Sequence, residues 1–155
     1  MDANLYELLH ANEFNGLTES FVRIFAIQIL NSLNFLQKMN IVHCDIKPEN
    51  FVLKTWGKSG IKLIDFGTSC YQGTWPINID QQIYTYIQSR YYRAPEILFK
   101  KYYTTAIDMW SFGCLIAELS LGKPLFPGHS DLHQLVYIIN LLGYPEPEFY
   151  QLCAV

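Results

Sequence analysis

The sequence predicts an α+β fold that is mainly α-helical, with a few short strands. Apolar residues recur at helical spacing in four separate stretches. Only two short β-rich runs interrupt them, Phe51-Val52-Leu53 and Ile61 to Ile64, with a glycine-containing loop between. Half of the 155 residues are hydrophobic and 15% are aromatic, enough for one buried core and far too many for a disordered chain.

Each element follows from local pattern. Leu5, Leu8 and Leu9 lie on one helical face and stop at Asn15-Gly16, which predicts a short first helix. Thr18 then stands as the cap of a long helix to about Met39, with Val22, Phe25, Ile29, Leu33 and Leu36 on one stripe. The two β-rich runs form a hairpin around residues 54–60. Residues 68–93 are polar, Tyr-rich and without period, and predict a long ordered loop, the kind that carries function. A third helix from about Ala106 to Leu121 is apolar almost all round, hence buried, and ends at Gly122 with Pro124 beyond. Ser130 caps a last helix that stops at Gly143.

Composition excludes some functions. With 11 Lys and Arg against 14 Asp and Glu, the net charge of −3 lacks the basic footprint of a nucleic-acid or anionic-membrane binder. No stretch approaches 18 apolar residues, and the N-terminus does not read as a signal peptide. Cys44, Cys70, Cys114 and Cys153 are scattered and fit neither a zinc site nor a disulfide framework. The expectation is an intracellular chain, in cytoplasm or nucleus, with reduced thiols. Charged residues are only 16%, below the usual quarter, so the chain is expected to hide surface against something outside itself. His129 and His133 lie four apart but have no third ligand, and read as surface histidines.

The chemistry sits at His43-Cys44-Asp45-Ile46-Lys47-Pro48-Glu49-Asn50, between the long helix and the first β-run. Phosphoryl transfer needs a carboxylate for the attacking hydroxyl, a cation for the γ-phosphate and a metal on the phosphates. Asp45 can supply the first and Lys47 the second, while Asn50 offers a neutral oxygen to a hard cation such as Mg²⁺. Asp65-Phe66-Gly67 adds a second carboxylate at a strand's end, with a glycine for the sharp turn. Each piece alone is weak, and an isolated Asp-Phe-Gly is usually a turn. In this order, with Asp65 20 residues after Asp45 and a hairpin between, they resemble the catalytic loop and D-F-G triplet of protein kinases.

Small-molecule phosphotransferases of kinase-like fold carry a similar loop. Ala94-Pro95-Glu96 and Asp108-Met109-Trp110-Ser111-Phe112-Gly113 resemble protein-kinase marks and weigh against that rival. Tyr84 to Glu96 is similar to the activation loop of the dual-specificity tyrosine-regulated kinases, in the group of cyclin-dependent and MAP kinases. Cys44, where most protein kinases have Arg, and Asn4-Leu5-Tyr6-Glu7-Leu8-Leu9 point the same way. The resemblance runs from about residue 4 to 145.

It implies the large, C-terminal lobe of the kinase fold, truncated, with ATP and Mg²⁺ as cofactors and proteins as substrates. Asp45 and Lys47 are then catalytic, Asn50 and Asp65 hold the metal, and Val52 and Ile64 line the adenine pocket from below. Ser89 bonds Asp45 and Lys47. Tyr86 is autophosphorylated, its phosphate held by Arg90 and Arg93, replacing the switch that Cys44 cannot make. Arg93 also shapes the pocket after the phosphoacceptor, often with a preference for proline. His43, Phe66, Glu96 and Asp108 are structural, with Asp108 bonding the catalytic-loop backbone; as a helix N-terminal carboxylate it also suits the helix dipole. Cys70 and Cys114 read as small buried hydrophobes. Gln72 to Ile83 is longer than the family's usual loop, an insertion of unknown role.

No G-x-G-x-x-G and no V-A-I-K-like lysine precede Asp45. The resemblance therefore implies the small lobe of the same kinase as a partner, and no turnover by these residues alone. It also leaves Glu96 without its usual arginine. Two readings stand, the large-lobe part of an active Ser/Thr and Tyr kinase, or a non-catalytic kinase-lobe binding module. Retention of Asp45, Lys47, Asn50 and Asp65 favours the first.

Overall fold

The computed structural model describes residues 3–55, 58–72, 87–99 and 103–146. Helix α1 (Leu5–Ala11) opens on a capping box in which the Asn4 side chain accepts the Glu7 N–H and the Glu7 carboxylate accepts the Asn4 N–H, both at 2.8 Å. Its buried residues are Leu5 and Leu9. Helix α2 (Glu19–Lys38) buries Val22, Phe25, Ile29, Leu33 and Leu36, the predicted stripe. Thr18 stands at its N-cap, yet its side chain makes no capping bond.

Strands β2 (Phe51–Leu53) and β3 (Ile61–Leu63) pair antiparallel, Phe51 opposite Leu63 and Leu53 opposite Ile61. Two further strands, β1 (Ile41–Val42) and β4 (Cys70–Tyr71), form a second antiparallel pair. The expected unbroken loop over 68–93 is thereby corrected, since it contains β4 and a 3₁₀ turn at Arg90–Tyr92. A two-residue strand has no period to read, because a partner 28 residues upstream defines it. A short helix α3 (Pro95–Leu98) precedes α4 (Ala106–Leu121), which ends at Gly122 in the left-handed region, φ 76°. Helix α5 (Asp131–Leu142) starts where Ser130 Oγ accepts the His133 N–H at 3.1 Å.

Leu5, Leu9, the α2 stripe, Ile46, Phe51, Leu53, Ile61, Leu115 and Leu119 make the main core. A second cluster, Val42, Cys44, Ile87, Ala94, Ile97, Tyr103 and Ile107, lies under the catalytic loop and the segment before α3. These two clusters anchor the 43–50 loop through Ile46 and Cys44 and the segment before α3 through Ile87 and Ala94. Among the described residues no helix is long and apolar enough to cross a membrane.

Candidate active site

The catalytic loop reverses direction at Cys44, whose φ of 66° is left-handed. That turn aims two consecutive N–H groups at one carboxylate. His43 N–H donates to Asp108 Oδ2 at 2.7 Å and Cys44 N–H to Oδ1 at 3.0 Å. Asp108 is in the first turn of α4 and only 2% exposed. Burial pushes its pKa up to about 6 against the opposing pull of the two N–H bonds, so it is an anion at neutral pH.

His43 is fully buried. Its Nδ1 accepts the Asp45 N–H at 3.3 Å, which leaves Nε2 to carry the proton and donate to Ile64 O at 3.1 Å. Burial lowers its pKa, outweighing the Ile64 carbonyl and the nearby carboxylates, so the ring is neutral. Phe66 meets it edge-on at 4.9 Å while keeping about half its surface exposed. The His43 carbonyl accepts from Thr68 Oγ1 and Ser69 Oγ, tying the catalytic loop to the chain after Gly67.

Three polar side chains meet around Asp45. Its Oδ1 accepts from Ser89 Oγ at 2.8 Å, and its Oδ2 lies 2.8 Å from Lys47 Nζ and 3.1 Å from Asn50 Nδ2. Asn50 also donates to the Asp45 carbonyl at 2.7 Å, and Lys47 Nζ to Ser89 Oγ at 3.1 Å. Ser89 therefore receives a proton bond from Lys47 and passes its own to Asp45. Burial pushes the Asp45 pKa up, but the bonds from Lys47, Ser89 and Asn50 and the Lys47 charge outweigh it, and the carboxyl ends below its usual value. Asp45 is thus ionised at neutral pH in a partly dry site.

Asp65 follows β3 directly, exposed, with φ 63°. The left-handed residue of this turn is Asp65 itself, not the glycine expected to supply the bend. At Gly67 a Cβ would lie 3.2 Å from Asp65 Oδ1, which accepts the Gly67 N–H, so a larger residue there would nudge the Asp65 carboxylate. With Asn50 Nδ2 spent on Asp45, its Oδ1 is the atom left to face a cation. Among the described residues no group of three or more His, Cys, Asp or Glu is arranged to hold a metal ion. One carboxylate and one amide oxygen suit Mg²⁺ that takes its remaining ligands from water and phosphates. Val52 and Ile64 are half-buried, in β2 and just after β3.

The segment entering α3 is held by a side chain that the sequence did not reveal. Gln88, buried and with φ 63°, donates to Ile107 O at 3.0 Å and Ser111 Oγ at 2.8 Å and accepts the Ala94 N–H at 2.9 Å. Its carbonyl is taken by Arg93 Nη2 at 2.8 Å. Arg93, 2% exposed, also donates to Ile87 O at 3.0 Å and to Asp131 Oδ1 at 2.7 Å. Arg90 reaches the same Asp131 oxygen at 3.8 Å. Glu96 is half-buried in the first turn of α3. Tyr86, and all of the Gln72 to Ile83 insertion but Gln72, lie outside the described residues.

Beside Lys47 and Ser89 opens a cavity of about 320 Å³ whose walls include Glu49, Arg90, Tyr92 and Glu118. Glu118 is 3% exposed and accepts the Tyr92 hydroxyl at 2.5 Å. Burial raises its pKa, the Tyr92 bond opposes that, and the Glu49 charge adds to the rise. Glu49 sat inside the recognised motif without a role. Glu118 and Gln88 gave no signal, because their partners are distant in sequence.

Comparison with known proteins agrees with this geometry. A model of the protein kinase domain family matches residues 1–148. The chain is 52% identical over 145 residues to dual specificity tyrosine-phosphorylation-regulated kinase 2 of Drosophila melanogaster, covering 94% of this chain and 19% of that protein. It is 51% identical over 148 residues to the human dual specificity tyrosine-phosphorylation-regulated kinase 3, covering 96% and 24%. With the dual specificity protein kinase YAK1 of Saccharomyces cerevisiae it shares 52% identity over 142 residues, covering 92% and 17%. The chain spans about a fifth of the length of these relatives. A loop that anchors an ionised Asp45 between Lys47 and Ser89, and a family match over nearly every residue, lead to one conclusion: the chain belongs to the protein kinase domain family, with its similarity to the dual-specificity tyrosine-phosphorylation-regulated kinases.

Proposed function

We propose that this chain carries the acceptor side of a kinase active site, moving the γ-phosphate of ATP to Ser or Thr hydroxyls of proteins within a longer enzyme that supplies the small lobe. The observation that supports this most is Asp45, ionised, half-desolvated and gripped by Lys47, Ser89 and Asn50. The substrate hydroxyl donates its hydrogen bond to Asp45, which aligns the oxygen and takes the proton as the new P–O bond forms and the bond to ADP breaks. Lys47 meets the charge on the transferring phosphoryl group, and Ser89 holds both side chains in register. Asn50 and Asp65 would hold Mg²⁺, which supplies charge neutralisation on the phosphates.

Two features bear on the substrate. The Gln88 carbonyl already accepts from the Arg93 guanidinium, which leaves it a weaker acceptor for the N–H of the residue after the phosphoacceptor. Proline, lacking that N–H, loses nothing there. Glu49 and Glu118 share the neighbouring cavity with Lys47 and Arg90, a balanced set of charges that favours a polar substrate side chain over an apolar one. Tyr86 is the autophosphorylation site in this reading. Arg90 and Arg93 already converge on one carboxylate oxygen, which is the arrangement two guanidinium groups need to share one phosphate.

The test is Asp45→Asn in the full-length protein, with a Ser-Pro peptide as substrate. Turnover is expected to fall about 10²- to 10⁴-fold, with peptide KM little changed. Mass spectrometry is expected to find phosphate on Ser or Thr of the peptide and on Tyr86 of the wild-type enzyme. Turnover within about threefold of wild type would exclude Asp45 as the base.

A further inference from the structure

Two segments that meet at Asp45 are fastened to the same end of α4. The catalytic loop hangs on Asp108, which accepts the His43 and Cys44 N–H groups. The segment that carries Ser89 hangs on Gln88, whose Nε2 donates to Ile107 O at 3.0 Å and to Ser111 Oγ at 2.8 Å. Ile107 and Asp108 are neighbours in the first turn of α4, and Ser111 lies one turn further on. The Ser89 hydroxyl, donating to Asp45 Oδ1 at 2.8 Å, closes the circuit between the two segments.

The Gln88 side chain is 6% exposed and its amide is engaged at both ends. Opposite the two donated bonds, Oε1 accepts the Ala94 N–H at 2.9 Å. That bond ties residue 88 to residue 94, so residues 89–93 form a loop with closed ends. Inside the loop the Tyr92 N–H donates to Ser89 O at 2.9 Å, and Ser111 Oγ donates to Tyr92 O at 2.7 Å. The Gln88 backbone is left-handed, φ 63°, a conformation that a residue other than glycine keeps only where its surroundings impose it. Ile87 and Tyr92 are buried on either side of Gln88 and Ser89, but apolar contact tolerates sliding that directional hydrogen bonds do not.

We propose that Gln88 is a positioning residue for phosphoryl transfer, setting the Ser89 hydroxyl against Asp45 and Lys47 from its anchorage on α4. Gln88 bonds neither Asp45 nor Lys47 itself. Because Ser89 follows it directly in the chain, a shift of residue 88 passes to the 2.8 Å bond on Asp45 and the 3.1 Å bond from Lys47. Misplacement by about 1 Å costs up to about 10²-fold in rate. The inference rests on the reading of Asp45 as the base.

The test is a double-mutant cycle on kcat in the full-length protein, with a Ser-Pro peptide as substrate. Gln88→Met keeps the length of the side chain and removes all three amide bonds. It is expected to lower kcat about tenfold, as is Ser89→Ala. The two together are expected to lose about tenfold rather than about a hundredfold, because Ser89→Ala removes a bond that Gln88→Met has already displaced. Ser111→Ala leaves residues 88–94 intact and removes one of the two α4 anchors. It is expected to lower kcat about threefold in the wild-type background and not at all beside Ser89→Ala. Thermal melting reads the fold of each variant, and if Gln88→Met melts below the assay temperature, Ser111→Ala decides alone. Losses that multiply would show that Gln88 contributes only general stability and would overturn the inference, as would a Gln88→Met enzyme within about twofold of wild type. Both results leave the reading of Asp45 standing, since that reading fails only where Asp45→Asn keeps its turnover.

Discussion

Asp108 spends both carboxylate oxygens on the backbone N–H groups of His43 and Cys44, and burial raises its pKa to about 6. Unfolded, it returns to the ordinary value of 3.8. Between those values the folded state binds the proton more tightly, so this group makes stability fall as pH rises from about 4 to 6, and contributes no slope above that. Asp108→Asn is expected to remove that slope. At pH 7 it also puts an amide NH₂ against one of two buried N–H donors, at a cost of about 1–3 kcal/mol. Urea unfolding from pH 4 to 8 measures both effects, and an unchanged pH profile would show that Asp108 does not titrate in this window. At this scale the sequence was most legible where chemistry is local: Asp45, Lys47, Asn50 and Asp65 stand in short motifs. Ser89 was reached only through resemblance. Gln88, Glu118 and Asp131 were not reached, because each acts through partners 19 to 38 residues away that only folding brings near.

The helices were the most legible elements, since α2, α4 and α5 each bury a stripe or end on a glycine that the pattern exposes. β1 and β4 were invisible, being two residues each and defined wholly by each other. The glycines at helix ends divide into two kinds. At Gly143, φ is 85° and a Cβ would meet nothing within 4 Å. At Gly122, φ is 76° and a Cβ would lie 1.8 Å from the Phe14 carbonyl oxygen, where the α1–α2 turn presses on α4. Gly143→Ala is therefore expected to cost only the backbone penalty of φ 85° and ψ 179°, a region essentially reserved for glycine, about 1–3 kcal/mol. Gly122→Ala adds a backbone clash that no rotamer relieves, and is expected to cost at least about 2 kcal/mol more than Gly143→Ala. Thermal denaturation of the two variants gives the difference directly, and equal losses would mean that the α1–α2 turn yields freely.

For the molecule as a whole, the low charge and heavy aromatic content anticipated a surface not fully covered by the chain's own packing. Large apolar side chains are exposed on the side of α2 away from its buried stripe. Ile24 is 41% exposed, Ile27 55% and Phe35 62% on one helix, while Leu132 and Leu142 of α5 are 73% and 62% exposed. Single apolar residues are ordinary on a protein surface, but so many large ones exposed on two helices favour association that covers them. The 155-residue chain is accordingly expected to form dimers or larger species as its concentration rises through the micromolar range, as read by light scattering after size exclusion. Substituting Ile24→Lys, Ile27→Lys and Phe35→Ser together is expected to return it to monomer. Each replaced side chain is largely solvated, so stability should change by no more than about 0.5 kcal/mol per site. A wild-type chain that stays monomeric across that range would show that the α2 face is tolerated in water. A triple variant that unfolds would show instead that these side chains belong to the core, and that α2 is buried on two faces rather than one.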